Sequence, residues 1–450
     1  MIETKKTIIF AAVAVVLLII ALIASPKKIT PEAFSDQGQK FFPEFTNPND
    51  ATTLEVVDFD EATGSAHPFK VTFKDGKWII PSHNNYPADA KDRLAKTAAG
   101  VIDIKKDEFR TNNVSDQEIC GVVDPLDETA GLSGRGQRVT IKGKNDVVLA
   151  DLIIGKPVEG KKGFRYVRVP GQNRIYAVKM DVDISTNFED WINRDLLELS
   201  KDKIEKVVFK DYSINERTLS VDNRGEFILK RKGNRWVANR FAKGRKIDST
   251  KMDNLLKAVV GLNIVDVRPK PTGLSANLKK NESQQKISQA DILSLQNKGF
   301  YFTRDGQLLS NEGELEIHTN EGVVYTLRFG EVVFGSGLNA NESKTAKDKE
   351  AKAAENRYLF ISAKFDSHYF KEPPKPKNTD YKKKADSLWT DRDKKNKAVG
   401  DKHDQWEKNI AKGKKISTDL NNRFADWYYI ISSDSYDKIH LKPTSLIAKK

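Results

Sequence analysis

Residues 75–104 read DGKWIIPSHNNYPADAKDRLAKTAAGVIDI, and residues 232–265 read KGNRWVANRFAKGRKIDSTKMDNLLKAVVGLNIV. Both stretches pass through the same signals in the same order. Asp75-Gly76 and Lys232-Gly233-Asn234 are hairpin turns, each followed by a return strand, Lys77–Ile80 or Arg235–Val237, that carries a tryptophan. A helix start comes next, with Asp89 as a plausible cap in the first copy and Asp248, Ser249 or Thr250 in the second. Ala90, Leu94, Thr97, Ala98 and Val101 then make an apolar stripe at helical spacing, matched by Met252, Leu255, Leu256 and Val259. Gly100 and Gly261 fall near the ends of these stripes, and an exit strand follows each.

Working outward, the flanks repeat as well. Thr53–Phe59 and Phe69–Phe73 read as strands before the first turn, and Glu226–Lys230 as one before the second. Arg138–Ile141 and Val147–Ile154 alternate as a hairpin ending at Gly155, with Arg165–Val169 as the next strand. Glu314–His318 and Val323–Phe329 alternate in the same way, ending at Gly330, with Arg357–Ile361 as the counterpart. Each copy closes on an aromatic acidic tag, Phe188-Glu189-Asp190-Trp191 or Phe424-Ala425-Asp426-Trp427. The expected fold is therefore α+β: two tandem repeats of an antiparallel sheet with a helix packed on one face, preceded by one N-terminal transmembrane helix. The expected boundaries are 1–26 for the anchor, 27–48 for a linker, 49–200 for the first repeat and 201–450 for the second. The second repeat carries charged insertions at 339–356 and 371–415. In the latter, Val399, His403, Trp406 and Ile410 are spaced for one helical face.

The anchor is read from Ile8 to Ala24, IIFAAVAVVLLIIALIA, which lacks charge, Gly and Pro. As a helix it would be roughly 26 Å long, enough for a thin hydrocarbon core. A cleaved signal peptide is the alternative, but cuts after Ala24 or Ser25 place Leu22 or Ile23 third from the end, where a small residue is wanted. A first apolar segment this close to the start acts as a signal anchor. The expected location is thus the bacterial inner membrane, single-pass, with the bulk of the chain periplasmic and membrane lipid as a partner.

Composition sets limits on the rest. The 450 residues are 38% hydrophobic and 31% charged, with a net charge of +13. Between Lys371 and Lys415 there are 15 Lys and Arg against 8 Asp and Glu, so one segment supplies +7 of that excess. The remainder reads as a solvated surface, and export would separate it from nucleic acid, so no nucleic-acid partner is expected. Cys120 is the only cysteine, which excludes an intrachain disulfide and a Cys-based zinc site. The lack of disulfides in so long an exported chain fits a bacterial envelope. No two of the six histidines have helical metal spacing, and no metal or cofactor is expected. Gly131–Gly136 lacks the Lys-Ser/Thr end of a phosphate-binding loop and reads as a flexible turn. Trp78 and Trp236 could stack on a sugar, but their equivalent positions favour shared core anchors. Asp190 and Asp426 could be a catalytic pair; beside Trp191 and Trp427 they read better as caps and core fillers. No catalytic residue is assigned.

The Gly76-Lys77-Trp78 hairpin, Tyr86-Pro87-Ala88-Asp89 and Gly163-Phe164-Arg165-Tyr166-Val167-Arg168, behind a single apolar run, resemble the bacterial family called domain of unknown function 4340. The resemblance implies a single-span envelope protein associated with gliding-type ABC transporter components, with no active site to carry over. The leading expectation is a non-catalytic, membrane-anchored accessory or scaffold within a membrane protein complex. The alternative is a module that binds an anionic envelope polymer, a polysaccharide or peptidoglycan; an envelope hydrolase using Asp190 or Asp426 comes third.

Overall fold

The computed structural model describes residues 13–19, 36–215, 217–218, 220–239, 245–280, 287–303, 306–334 and 355–448. It divides into two compact units, Met1–Pro68 with Leu94–Ile184, and Phe69–Arg93 with Ser185–Lys450.

The expected fold needs correction. The described chain is mostly sheet, in a nine-stranded, an eight-stranded and a two-stranded sheet, and its helices are more numerous than one per repeat. Among the described residues no helix is long and apolar enough to cross a membrane. Of the run 8–24, only residues 13–19 are described, as helix α1, and the rest lies outside the described residues. The transmembrane helix and the single-pass inner-membrane location are therefore withdrawn. The insertion expected at 339–356 lies almost entirely outside the described residues.

In chain order the nine-stranded sheet is built from β1 (Thr53–Asp60), β2 (Ser65–Lys74), β3 (Lys77–Ile80), β4 (Tyr86–Pro87), β5 (Glu108–Thr111), β6 (Gln137–Lys142), β7 (Val148–Pro157), β8 (Phe164–Arg168) and β9 (Ile175–Lys179). Helix α2 (Lys91–Ile102) and the short α3 (Asp116–Cys120) interrupt this run. The eight-stranded sheet takes β10 (Ile204–Asn215), β11 (Ser220–Lys232), β12 (Arg235–Ala238), β13 (Asp266–Pro269), β16 (Glu314–Thr319), β17 (Val323–Phe334), β18 (Glu355–Phe365) and β19 (Trp427–Ile431). β14 (Phe300–Phe302) and β15 (Leu308–Ser310) form the small hairpin, and helices α4 (Ser249–Val260), α5 (Thr272–Lys280), α6 (Gln289–Gln296), α7 (Asp391–Phe424) and α8 (Ser433–Ile439) complete the set.

The two large sheets share one strand order. Apart from β4, the first runs β3-β2-β1-β6-β7-β8-β9-β5 and the second β12-β11-β10-β16-β17-β18-β19-β13. α2 and α4 are each 12 residues long and bury matching stripes, Leu94, Thr97, Ala98 and Val101 in one and Met252, Leu255, Leu256 and Val259 in the other. Asp248 caps α4 by accepting from the N–H groups of Thr250 and Lys251.

The two glycines read as hairpin ends are instead bulges inside longer strands. Gly155 and Lys156 together face Tyr166, because the β7–β8 register shifts between Ile154 and Pro157. Gly330 and Glu331 face Tyr358 through the same shift between Phe329 and Val332. In the first unit Arg165 donates to the Gly155 carbonyl through Nε and Nη2, at 2.9 and 2.6 Å. In the second, Nη1 of Arg357 donates to the Gly330 carbonyl at 2.9 Å. Neither glycine has room for a side chain. A Cβ on Gly155 would sit 2.4 Å from the Cys120 carbonyl oxygen, and one on Gly330 2.1 Å from that of Lys298.

The second sheet is also tied by charge. Lys210 on β10 reaches Glu314 at 2.8 Å and Glu316 at 2.7 Å on β16, and Arg328 on β17 pairs with Glu314 at 3.0 Å. Burial alone would raise the Glu316 carboxyl, but His318 and Lys210 overcome it and hold the group down at about 2. Helix α7 lies against β17 and β18 on a seam that mixes small and polar residues, Gly413, Ser417 and Asn421, with the apolar Leu420 and Phe424. Asn421 pairs with both backbone groups of Ala363 as a strand residue would.

Two outcomes follow. Gly155→Ala and Gly330→Ala should each destabilise by about 1–3 kcal/mol through overpacking, read as a lower urea midpoint; an unchanged midpoint would contradict the close approach. Glu316 has its folded pKa below the unfolded 4.5, so its stabilisation is full above that value and lost as pH falls towards 2. Unfolding titrations should show Glu316→Gln costing stability at pH 7 and flattening the acid slope in this window; parallel wild-type and variant curves would count against the linkage.

Candidate functional site

A cleft of about 960 Å³ opens in the second unit. One wall is β12, which contributes Trp236 and Val237 to the lining, with Arg231 directly across from Trp236 on β11. The opposite wall is α4, which contributes Met252, Leu256 and Val260, and Leu199 adds to the apolar lining. The 3-10 turn Lys201–Lys203 supplies Lys201 and Asp202 at one end. Arg245 and Lys246 come from the segment leading into α4. That segment is pinned by backbone bonds to the C-terminal stretch, Asp248 N–H to the Leu446 carbonyl at 2.9 Å and Ala448 N–H to the Lys246 carbonyl at 3.0 Å.

Why the sequence builds a cleft here is a matter of register. Arg235–Ala238 pairs with Leu229–Lys232 in antiparallel alternation, so Trp236 projects to one side of β12. The ring stays half-buried, because α4 turns its own apolar stripe into the same space without filling it. Arg235, Arg245 and Lys246 are exposed along the rim.

Electrostatics favour an anion. Five lining cations, Lys201, Arg231, Arg235, Arg245 and Lys246, face two carboxylates, Asp202 and Asp253. Asp253 is already countered by Lys201 and Lys257, both at 2.8 Å, and these two ammonium groups hold its carboxyl below the usual range. Arg231 donates to the carbonyls of Asp202 and Gly233 at 3.1 and 3.2 Å, which fixes its guanidinium at the cleft edge. The chemistry on offer is a flat aromatic face, an apolar floor and a positive rim, the pattern of a recognition cleft.

The structure disperses the residues singled out from the sequence. Trp236 lines the cleft, whereas Trp78 on β3 packs against the exposed Phe73, with ring centres 5.3 Å apart; the two tryptophans are both half-buried. Trp191 is fully buried, donates Nε1–H to the Ser185 carbonyl at 2.9 Å and lies under the Arg93 guanidinium. Its neighbour Asp190 accepts from Ser185 Oγ at 2.6 Å and pairs with Arg93 and Arg194. Asp426 accepts from Ser275 and pairs with Lys279, which outweigh burial and lower its carboxyl. Trp427 opens β19 and meets Tyr86 edge to face at 5.1 Å. The two tags hold different places in the strand order: Asp190-Trp191 follows β9, while Asp426-Trp427 leads into β19, the counterpart of β9, with Trp427 as its first residue. Cys120 is a free, buried thiol whose pKa burial raises.

Sequence reasoning missed two features. The rim cations were read only as general charge, although Arg231, Arg235, Arg245 and Lys246 cluster around Trp236 in the chain itself. Lys270 carried no signal at all. It is buried beneath the Phe360 and Tyr428 rings, donates to the Phe424 and Trp427 carbonyls, and is pulled down to about 7 by burial, against the opposing pull of Asp426. It closes the C-terminal end of α7, where carbonyls lack intrahelical partners.

No curated protein and no solved structure matches the chain. Residues 78–280, from Trp78 on β3 to the end of α5 and including every residue that lines the cleft, match the family model described as Domain of unknown function (DUF4340), which supports the family resemblance over that stretch.

Proposed function

We propose that this chain is a non-catalytic accessory or scaffold protein that holds an anionic polymer, an acidic polysaccharide, in the cleft beside Trp236. The observation that carries the reading is the half-exposed Trp236 ring between an apolar helix face and a rim of basic side chains. A pyranose ring offers an apolar C–H face to the indole, and its carboxylates or sulfates meet Arg235, Arg245 and Lys246. A single ring, in place of several interleaved along a groove, suits a sugar better than successive stacked bases.

Calorimetric titration of the full chain with alginate, and separately with a single-stranded oligonucleotide, tests this. Alginate should bind, more weakly as salt rises from about 50 to about 500 mM. Trp236→Ala and the double charge reversal Arg235→Glu/Arg245→Glu should each weaken it about tenfold or more, the equivalent of roughly 1.4 kcal/mol. Equal binding by wild type and the charge-reversed chain, or a preference for the oligonucleotide, would overturn the proposal.

A narrower form, accessory to an ABC-type transport complex, rests on the family resemblance alone. It expects transport components to be recovered by affinity capture, and repeated capture without them removes it.

A further inference from the structure

α7 carries a group of side chains that neither sheet nor cleft employs. His403 and Glu407 lie one turn apart on the same face, and Asp404 adjoins them. One ligand atom from each of these three lies within 4.8 Å of the other two. Acidic clusters on a helix are ordinarily solvated and hold nothing. The difference here is His403, which is only 6% exposed although both of its carboxylate neighbours are open to water. Its Nε2 is buried without a hydrogen-bond partner; the nearest carboxylate oxygen, on Glu372, is 3.7 Å away. With Nε2 turned toward Glu372, Nδ1 is the ring nitrogen that faces Glu407.

The geometry points to a divalent transition-metal site of the zinc class, with His403 Nδ1, Glu407 and Asp404 as ligands and Glu372 as the orienting carboxylate behind the histidine. Nδ1 of His403 stands 3.4 Å from Oε1 of Glu407. Two donors each about 2.1 Å from one tetrahedral ion are about 3.4 Å apart, so these atoms already span one edge of such a site. A metal on Nδ1 leaves the ring proton on Nε2, which faces Glu372. Glu372 stands 3.7 Å off, beyond hydrogen-bond distance, so closing a carboxylate–histidine–metal relay requires its carboxylate to move onto Nε2 when the metal binds. Glu372 is held in place by its own stretch of chain, since Trp406 on α7 donates Nε1–H to the Phe370 carbonyl at 3.0 Å. The Trp406 and His403 rings lie 5.3 Å apart, which limits rotation of the imidazole. A nitrogen with carboxylate donors favours zinc, nickel or copper over magnesium and calcium. Three protein ligands leave a fourth position for water or for a ligand from elsewhere.

The test is calorimetric titration of the full, chelator-stripped chain with zinc chloride, and in parallel with magnesium chloride. Wild type should bind one zinc per chain saturably, with no comparable magnesium uptake. His403→Gln should lose that site. Because removing a buried ring could disturb the fold, Glu407→Gln is the second variant; Glu407 is 62% exposed and the change leaves packing intact. It too should lose the site, while Glu372→Gln should weaken zinc by about 10- to 100-fold. Zinc should also raise the melting temperature of wild type and leave that of Glu407→Gln unmoved. Absence of a saturable zinc site, equal uptake by wild type and Glu407→Gln, or equal affinity for magnesium would overturn the assignment and leave His403 as an imidazole caught between two carboxylates.

Discussion

Each large sheet depends on a bulged glycine whose carbonyl is held by an arginine from the neighbouring strand. At Gly155 and at Gly330 the strand takes two residues where its partner takes one, which would leave a carbonyl without its ladder bond. Arg165 and Arg357 supply the missing donors. The glycines are required because a second backbone segment comes close on the open side, Cys120 in one unit and Lys298 in the other. A bulge also increases local twist. In both cases it falls on the third strand of the β1-β6-β7-β8 or β10-β16-β17-β18 run, so the two sheets take the same turn at the same place.

Around this shared frame the second unit carries further features of its own. The ladder of Lys210, Glu314 and Arg328 crosses three adjacent strands at directly opposed positions. Charges that face one another across a ladder and are shielded from water interact more strongly than surface pairs. α7 adds a 34-residue helix whose buried seam is largely small and polar, with Leu420 and Phe424 at its C-terminal end. Glycine and serine in that seam bring the helix backbone close to β18, where Asn421 can bond Ala363 directly. Lys270 closes its far end under two aromatic rings. A basic cleft and a histidine-carboxylate group are thus set on one unit, on separate elements.

Local signals in the chain were informative where the fold is local. The turn at Lys232-Gly233-Asn234, the Asp248 cap and the stripe of α4 are contacts within a few residues of each other, and the α+β content follows from them. The apolar run 8–24 shows the limit of the same reasoning. Hydropathy and length suggest a span, but among the described residues no helix is long and apolar enough to cross a membrane. The bulges were misread for a related reason. A glycine after an alternating run looks like a strand end, and only the partner strand shows that pairing resumes beyond it. Spacing between histidines carries no signal for a histidine one turn from a glutamate, as His403 is from Glu407.

By itself the sequence determined the periodic parts of the protein: its hairpins, its two matching helices and the recurrence of one pattern along the chain. These depend on side-chain alternation and capping, which are written within a few residues of where they act. Tertiary structure alone decided which Trp is left half-exposed in a basic cleft and which is sealed in the core. It also decided which tag precedes a strand and which follows one, and where a buried Lys or His finds its partners. Those outcomes depend on side chains brought together from distant positions, Trp236 with Val260, Lys270 with Phe424 and Glu372 with His403, and no local pattern encodes such meetings.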